Sequence, residues 1–120
     1  MRIFIAGPYG DHNTKDIIAC NVAIADRVAR NFLAQGHQVY CPHKMAWGWE
    51  CDHRLTRDVF LDLDRSFLKH WAEAIYRIPG ISPGADAEIR YAEQLGLIIL
   101  DVGSVTPPVA EKGEDDARSI

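Results

Sequence analysis

At 120 residues, with 48% apolar and 25% charged side chains, the chain is the size of one globular domain, enough for a single hydrophobic core and too short for two. The net charge is −4, and the segment from Pro107 to Ile120 supplies about half of it, so nothing resembles the basic footprint of a DNA or RNA polymer binder. No apolar run approaches a membrane span, the start runs straight into a strand pattern without a leader, and three cysteines without framework spacing favour a reducing, cytoplasmic setting.

Arg2 to Ala6 is short, apolar and β-prone, and Gly7-Pro8-Tyr9-Gly10 ends it as a turn. From about Lys15 to Gln35, Ile18, Val22, Ala25, Val28, Ala29, Phe32 and Leu33 recur at helical spacing, and Gly36 closes the segment. Asn13 or Thr14 is the expected N-cap, which leaves Lys15 only a minor case for holding a phosphate at this helix start. A second strand is predicted from Gln38 to Cys41, a loop over residues 43 to 55, and a second helix from Leu55 to Trp71. Ala74 to Ile78 reads as a third strand, Pro79 to Ser82 as a turn, Pro83 to Gly96 as a third helix and Leu97 to Leu100 as a fourth strand.

Near-continuous apolar strands joined by helices predict a parallel sheet covered on both faces. The expected fold is therefore a single α/β domain over residues 1 to 101, a three-layer α/β/α arrangement with four or five parallel strands, flavodoxin- or Rossmann-like. The Pro-, Glu-, Lys-, Gly- and Asp-rich stretch from 102 to 120 reads as a disordered acidic tail.

Two carboxylates break the helical patterns. At about 100° per residue, Phe60, Leu63, Phe67, Leu68 and Trp71 share one arc of the second helix, and Asp64 falls inside it while Asp58, Asp62, Arg65 and Lys69 face away. In the third helix Ala85, Ile89, Ala92, Leu95 and Gly96 define the inner arc, and Glu88 shares it. Carboxylates are seldom buried unless paired or working. A purely structural use, capping backbone or pairing with an arginine such as Arg77, is the competing explanation, and burying charge twice makes it less economical for both residues than for one.

Ligands of open parallel sheets bind beyond the carboxyl ends of the strands, where the helices begin. Gly7-Pro8-Tyr9, Pro42-His43 and the turn from Pro79 to Gly84 should share that rim. Ser82 is a natural N-cap with Pro83 at the first helical position, and the positive end of that helix should hold Glu88 ionised. Cys41-x-His43 and Cys51-x-His53 lack the two-to-four-residue spacing of structural zinc sites, so no metal is expected. Trp47 and Trp49 suit loop or interface packing better than stacking on a base.

Taken together, Ile3-Phe4-Ile5-Ala6-Gly7-Pro8-Tyr9, Gly36-His37-Gln38-Val39 leading to Pro42-His43, Asp64 on the middle helix, and Ser82-Pro83-Gly84-Ala85-Asp86-Ala87-Glu88 resemble the nucleoside 2-deoxyribosyltransferase superfamily. With Tyr76-Arg77-Ile78-Pro79-Gly80 before the signature, the pattern is most similar to its small DUF4406-type branch, over residues 1 to 101. The resemblance implies cleavage of the N-glycosidic bond of a small nucleoside or nucleotide, by deoxyribosyl transfer or hydrolysis, without a cofactor.

In that scheme Glu88 is the nucleophile, Asp64 assists departure of the base, and Tyr9 positions the carboxylate. Gly7, Pro8, His43, Arg77, Ser82 and Gly84 are the substrate-binding candidates. Relatives complete their sites across a subunit interface, so a homodimer or higher homo-oligomer is implied. Departures from the pattern are Glu73 where relatives often have Asp, Asp86 where a glycine is common, and a longer step from Asp64 to Glu73 that brings Asp62 into register. The alternatives are a non-catalytic nucleotide-binding or sensing module and an assembly protein whose carboxylates only cap helices.

Overall fold

The computed structural model describes residues 1–10 and 14–103. Four strands, β1 (Arg2–Ala6), β2 (Gln38–Tyr40), β3 (Ala74–Arg77) and β4 (Ile98–Leu100), form one sheet in the order β2-β1-β3-β4, with every neighbouring pair parallel. Phe4 is aligned with Tyr40 on one side and Ile75 on the other, so β1 is the central strand of the site-bearing half.

The pleat separates two cores. Ile3, Ile5, Ala74 and Tyr76 pack with Ala25 and Phe32 of α1 (Lys15–Ala34), while Phe4, Ala6, Tyr40 and Ile75 pack with Leu68 of α3 (Arg57–His70) and Ala85 and Ala92 of α4 (Pro83–Leu95). This is the expected three-layer α/β fold, with alternation in each strand feeding both faces.

The ends of the helices follow from local chemistry. The Thr14 hydroxyl oxygen accepts from the Ile17 amide at 3.3 Å and Ser82 accepts from the Ala85 amide at 3.1 Å, each satisfying a first-turn donor that has no intrahelical partner. Pro83 follows at the first helical position of α4, and Gly96 closes that helix.

One element differs from expectation. Residues Pro42–Ala46 form a short helix, α2, where a loop was predicted from residue 43. Pro42 supplies a preset first helical residue directly after β2, but five residues are too few for an apolar period to register in the sequence. The Asp11-His12-Asn13 part of the first loop, the Asn13 alternative for the cap and residues 104–120 of the expected tail lie outside the described residues. Among the described residues no helix is long and apolar enough to cross a membrane.

The connections run from β1 through α1 to β2 on one side, then back across β1 to β3 and β4 on the other. The strand order therefore reverses between β1 and β3, and a crevice opens beyond their carboxyl ends.

Candidate active site

The two loops that border this crevice touch through glycines. A Cβ on Gly7 would lie 2.7 Å from Ile78 Cβ, and one on Gly80, whose φ is +127°, would lie 2.8 Å from Pro8 Cγ. The Gly7-Pro8 turn after β1 and the Ile78-Pro79-Gly80 turn after β3 thus interlock at a spacing that side chains would not allow. His43 secures the same turn from α2. It is 4% exposed, its Nε2 donates to the Pro8 carbonyl at 2.8 Å, and its ring meets Tyr9 edge-on at 5.6 Å between centroids. Burial holds His43 below the ordinary histidine range, so the ring is neutral, with Nε2 carrying the hydrogen and Nδ1 buried without a partner among the described residues.

Beyond these turns lies an open cleft of about 500 Å³. Gly7, Pro8 and Tyr9 line it from β1, His43 from α2, Asp64 from α3, and Ser82, Gly84 and Glu88 from α4. Asp62 is exposed and does not line the cleft, whereas Asp64 does. Apolar walls come from Leu55, Phe60, Leu61 and Ile81, and Glu50 and Arg57 stand among the polar lining. Trp47 and Trp49 are about half exposed and do not line it.

Asp64 and Glu88 both line the cleft, close enough that each shifts the titration of the other. Burial raises both carboxyls above their ordinary values, and for Glu88 the charge and hydrogen bond of Asp64 raise it further, against a smaller opposing effect of Arg77. The expectation that the α4 dipole would keep Glu88 ionised is therefore corrected. Glu88 stands in the second turn, past the reach of the dipole, and burial beside a second carboxyl dominates. Near neutral pH such a pair holds one proton, with Glu88 the more strongly protonated partner.

Three further placements differ from the sequence reading. Tyr9 was expected to orient Glu88, but its hydroxyl donates to Glu50 Oε2 at 2.6 Å; this bridges the first turn and the loop after α2. Burial and the neighbouring carboxylate raise the Tyr9 pKa, while the same bond holds Glu50 below its ordinary value. Arg77 was expected to bind substrate, but it does not line the cleft. Its guanidinium donates to the Ile78 and Gly80 carbonyls and pairs with Asp86 at 2.8 Å, bracing the turn from behind. Asp86, which stands where a glycine is common in the resembled pattern, is held by this ion pair and does not line the cleft.

Glu73 sits at the opposite end of the sheet, where it accepts from the Arg2 amide at 2.8 Å, so it belongs to the fold and not to the site. Lys15 is exposed at the start of α1 and does not line the cleft. Cys20, Cys41 and Cys51 are free thiols, and no group of three or more metal-type side chains converges among the described residues.

The sequence reading missed Glu50, Arg57 and Tyr40. Glu50 lies in an aperiodic loop, where no spacing rule applies. Tyr40 was legible in principle. It ends the strand beside β1, and its register with Phe4 sends its side chain to the α3 and α4 face, where Phe67 stacks on it at 3.7 Å. No protein-family profile matches the chain, and no curated protein sequence matches it.

Proposed function

We propose that the protein is an enzyme of N-glycosidic bonds, acting on a small nucleoside or nucleotide by deoxyribosyl transfer or hydrolysis, with Glu88 as nucleophile and Asp64 as the acid. The observation that carries this reading is the pair itself: two partly buried carboxyls, each pushed above its ordinary range by desolvation, lining one ligand-sized cleft. Displacement at an anomeric carbon with retention needs one anionic carboxylate and one carboxylic acid in the same site. A proton shared by two neighbouring carboxyls passes between them without a change of net charge, so such a pair can supply both forms together.

With the proton on Asp64, a Glu88 oxygen bonds to the anomeric carbon as the carbon–nitrogen bond breaks, and the bonding pair leaves on the base nitrogen, which takes the Asp64 proton. Water or a second base then attacks the glycosyl ester, gives its proton to Asp64 and frees the Glu88 carboxylate. Retaining pairs stand about 5 Å apart, close enough for both carboxyls to reach one sugar. Phe60, Leu55 and Ile81 offer an apolar wall against which a base can lie.

The setting that fits this reading is cytoplasmic. Leu61 is 36% exposed and Ile81 96%, both lining the cleft, and a second copy of the chain would cover them. Sedimentation should accordingly give at least twice the chain mass of 13.5 kDa; a single-chain mass at working concentrations contradicts the oligomeric part of the reading.

The direct test is to incubate the protein with a panel of deoxynucleosides, ribonucleosides and their monophosphates, with and without an acceptor base, and to separate products by chromatography. Release of free base from at least one member is expected. Saturable binding with no release would favour a binding or sensing module instead.

A further inference from the structure

Tyr40 carries a hydroxyl that its packing does not use. The ring is stacked on Phe67 at 3.7 Å and 8°, leans on Phe4 at 5.6 Å, and leaves the residue 8% exposed, an environment that phenylalanine would fill equally well. Among the described residues its oxygen is buried without a well-formed hydrogen bond. A buried hydroxyl left in that state costs stability, so its presence calls for a neighbour that it serves.

The groups facing it are Asp64 from α3 and Glu88 from α4, with Cys41 next along the chain. Tyr40 stacks on Phe67, which lies three positions after Asp64 and so on the same face of α3, and this contact holds the Tyr40 ring on the Asp64 side of the sheet. We infer that Tyr40 is a positioning residue for the carboxyl pair: its hydroxyl donates to Asp64 when Asp64 is ionised, and so directs the shared proton to Glu88.

The surrounding charges are consistent with this role. Burial and the nearby carboxylates raise the Tyr40 hydroxyl far above its ordinary value, so it remains a donor across the physiological range. Burial likewise keeps the Cys41 thiol neutral. A donor on Asp64 favours the Asp64 anion. The Arg77 charge favours an ionised Glu88, so Tyr40 and Arg77 pull the proton in opposite directions. For its bearing on turnover the inference rests on the glycosidic-bond reading; for the protonation of the pair it does not.

The test is a titration of the side-chain carboxyl carbons of Asp64 and Glu88 by NMR in the full chain, wild type against Tyr40→Phe, which keeps both ring contacts. The lower of the two steps should rise by about one pH unit, the scale of a single hydrogen bond to a charged group. A rise under roughly 0.3 unit, or a fall, overturns the inference. Should Tyr40→Phe fail to fold, the Tyr40 hydroxyl proton in the wild-type protein gives the answer. Its resonance should move downfield in step with ionisation of Asp64, and a resonance that ignores that step counts against the role. Neither measurement needs turnover, so a failed base-release assay would sink the glycosidic reading while leaving this one standing or falling by itself.

Discussion

Glu88 and Asp64 are legible in sequence as charges inside apolar arcs, and that legibility has a physical basis. A helix has one buried face, and a carboxylate placed on it against the cost of desolvation marks either a partner or a task. What the sequence did not disclose is how the two share charge, since that depends on their mutual distance and depth. The folded pKa of Glu88 is raised, so the native state binds more protons than the unfolded chain between about 4.5 and about 8. By linkage its contribution is fully present below that window, and stability falls as pH rises through it. The melting temperature of the wild-type protein should therefore drop between those limits. Glu88→Gln should flatten the drop and be more stable than wild type at the upper limit by about 1–3 kcal/mol, since it removes the buried like-charge contact. A wild-type melting temperature that rises across the window contradicts this assignment. Arg77 shows the opposite failure of sequence reading. The resemblance implied a ligand contact for Arg77, yet three acceptors of its own neighbourhood, the Ile78 and Gly80 carbonyls and Asp86, already occupy it.

At the level of elements, strands and long helices emerged from periodicity to within a residue or two, because β1, β3, α1 and α4 each have a strong one-face or two-face pattern and chemical stops at Gly7, Gly36, Ser82 and Gly96. The short helix α2 and the loop after it did not, and they hold His43 and Glu50, two of the polar groups at the cleft. The interlock of the two turns was equally invisible, since Gly7 and Gly80 are 73 positions apart and only the sheet register brings them together. It yields a specific expectation. Gly7→Ala would drive a Cβ to 2.7 Å from Ile78 Cβ, so the turn must shift. The cost should be about 1–3 kcal/mol, measured as a lowered denaturant midpoint at unchanged slope. A midpoint within error of wild type would show that the two turns do not bear on each other.

Across the whole molecule, the strand order β2-β1-β3-β4 explains why residues from four separate segments converge. Reversal of the winding between β1 and β3 opens one crevice at the carboxyl end of the sheet, and Gly7, His43, Asp64 and Glu88 arrive there from β1, α2, α3 and α4. The architecture alone assigns no reaction. The chemistry rests on the carboxyl pair, and it is the pair that the decisive measurement has to address. On whichever substrate of the panel the wild-type protein cleaves fastest, base release should fall by about a thousandfold or more in Glu88→Ala, the order of loss seen when a covalent nucleophile is removed. Release from Glu88→Ala at the wild-type rate would contradict the account.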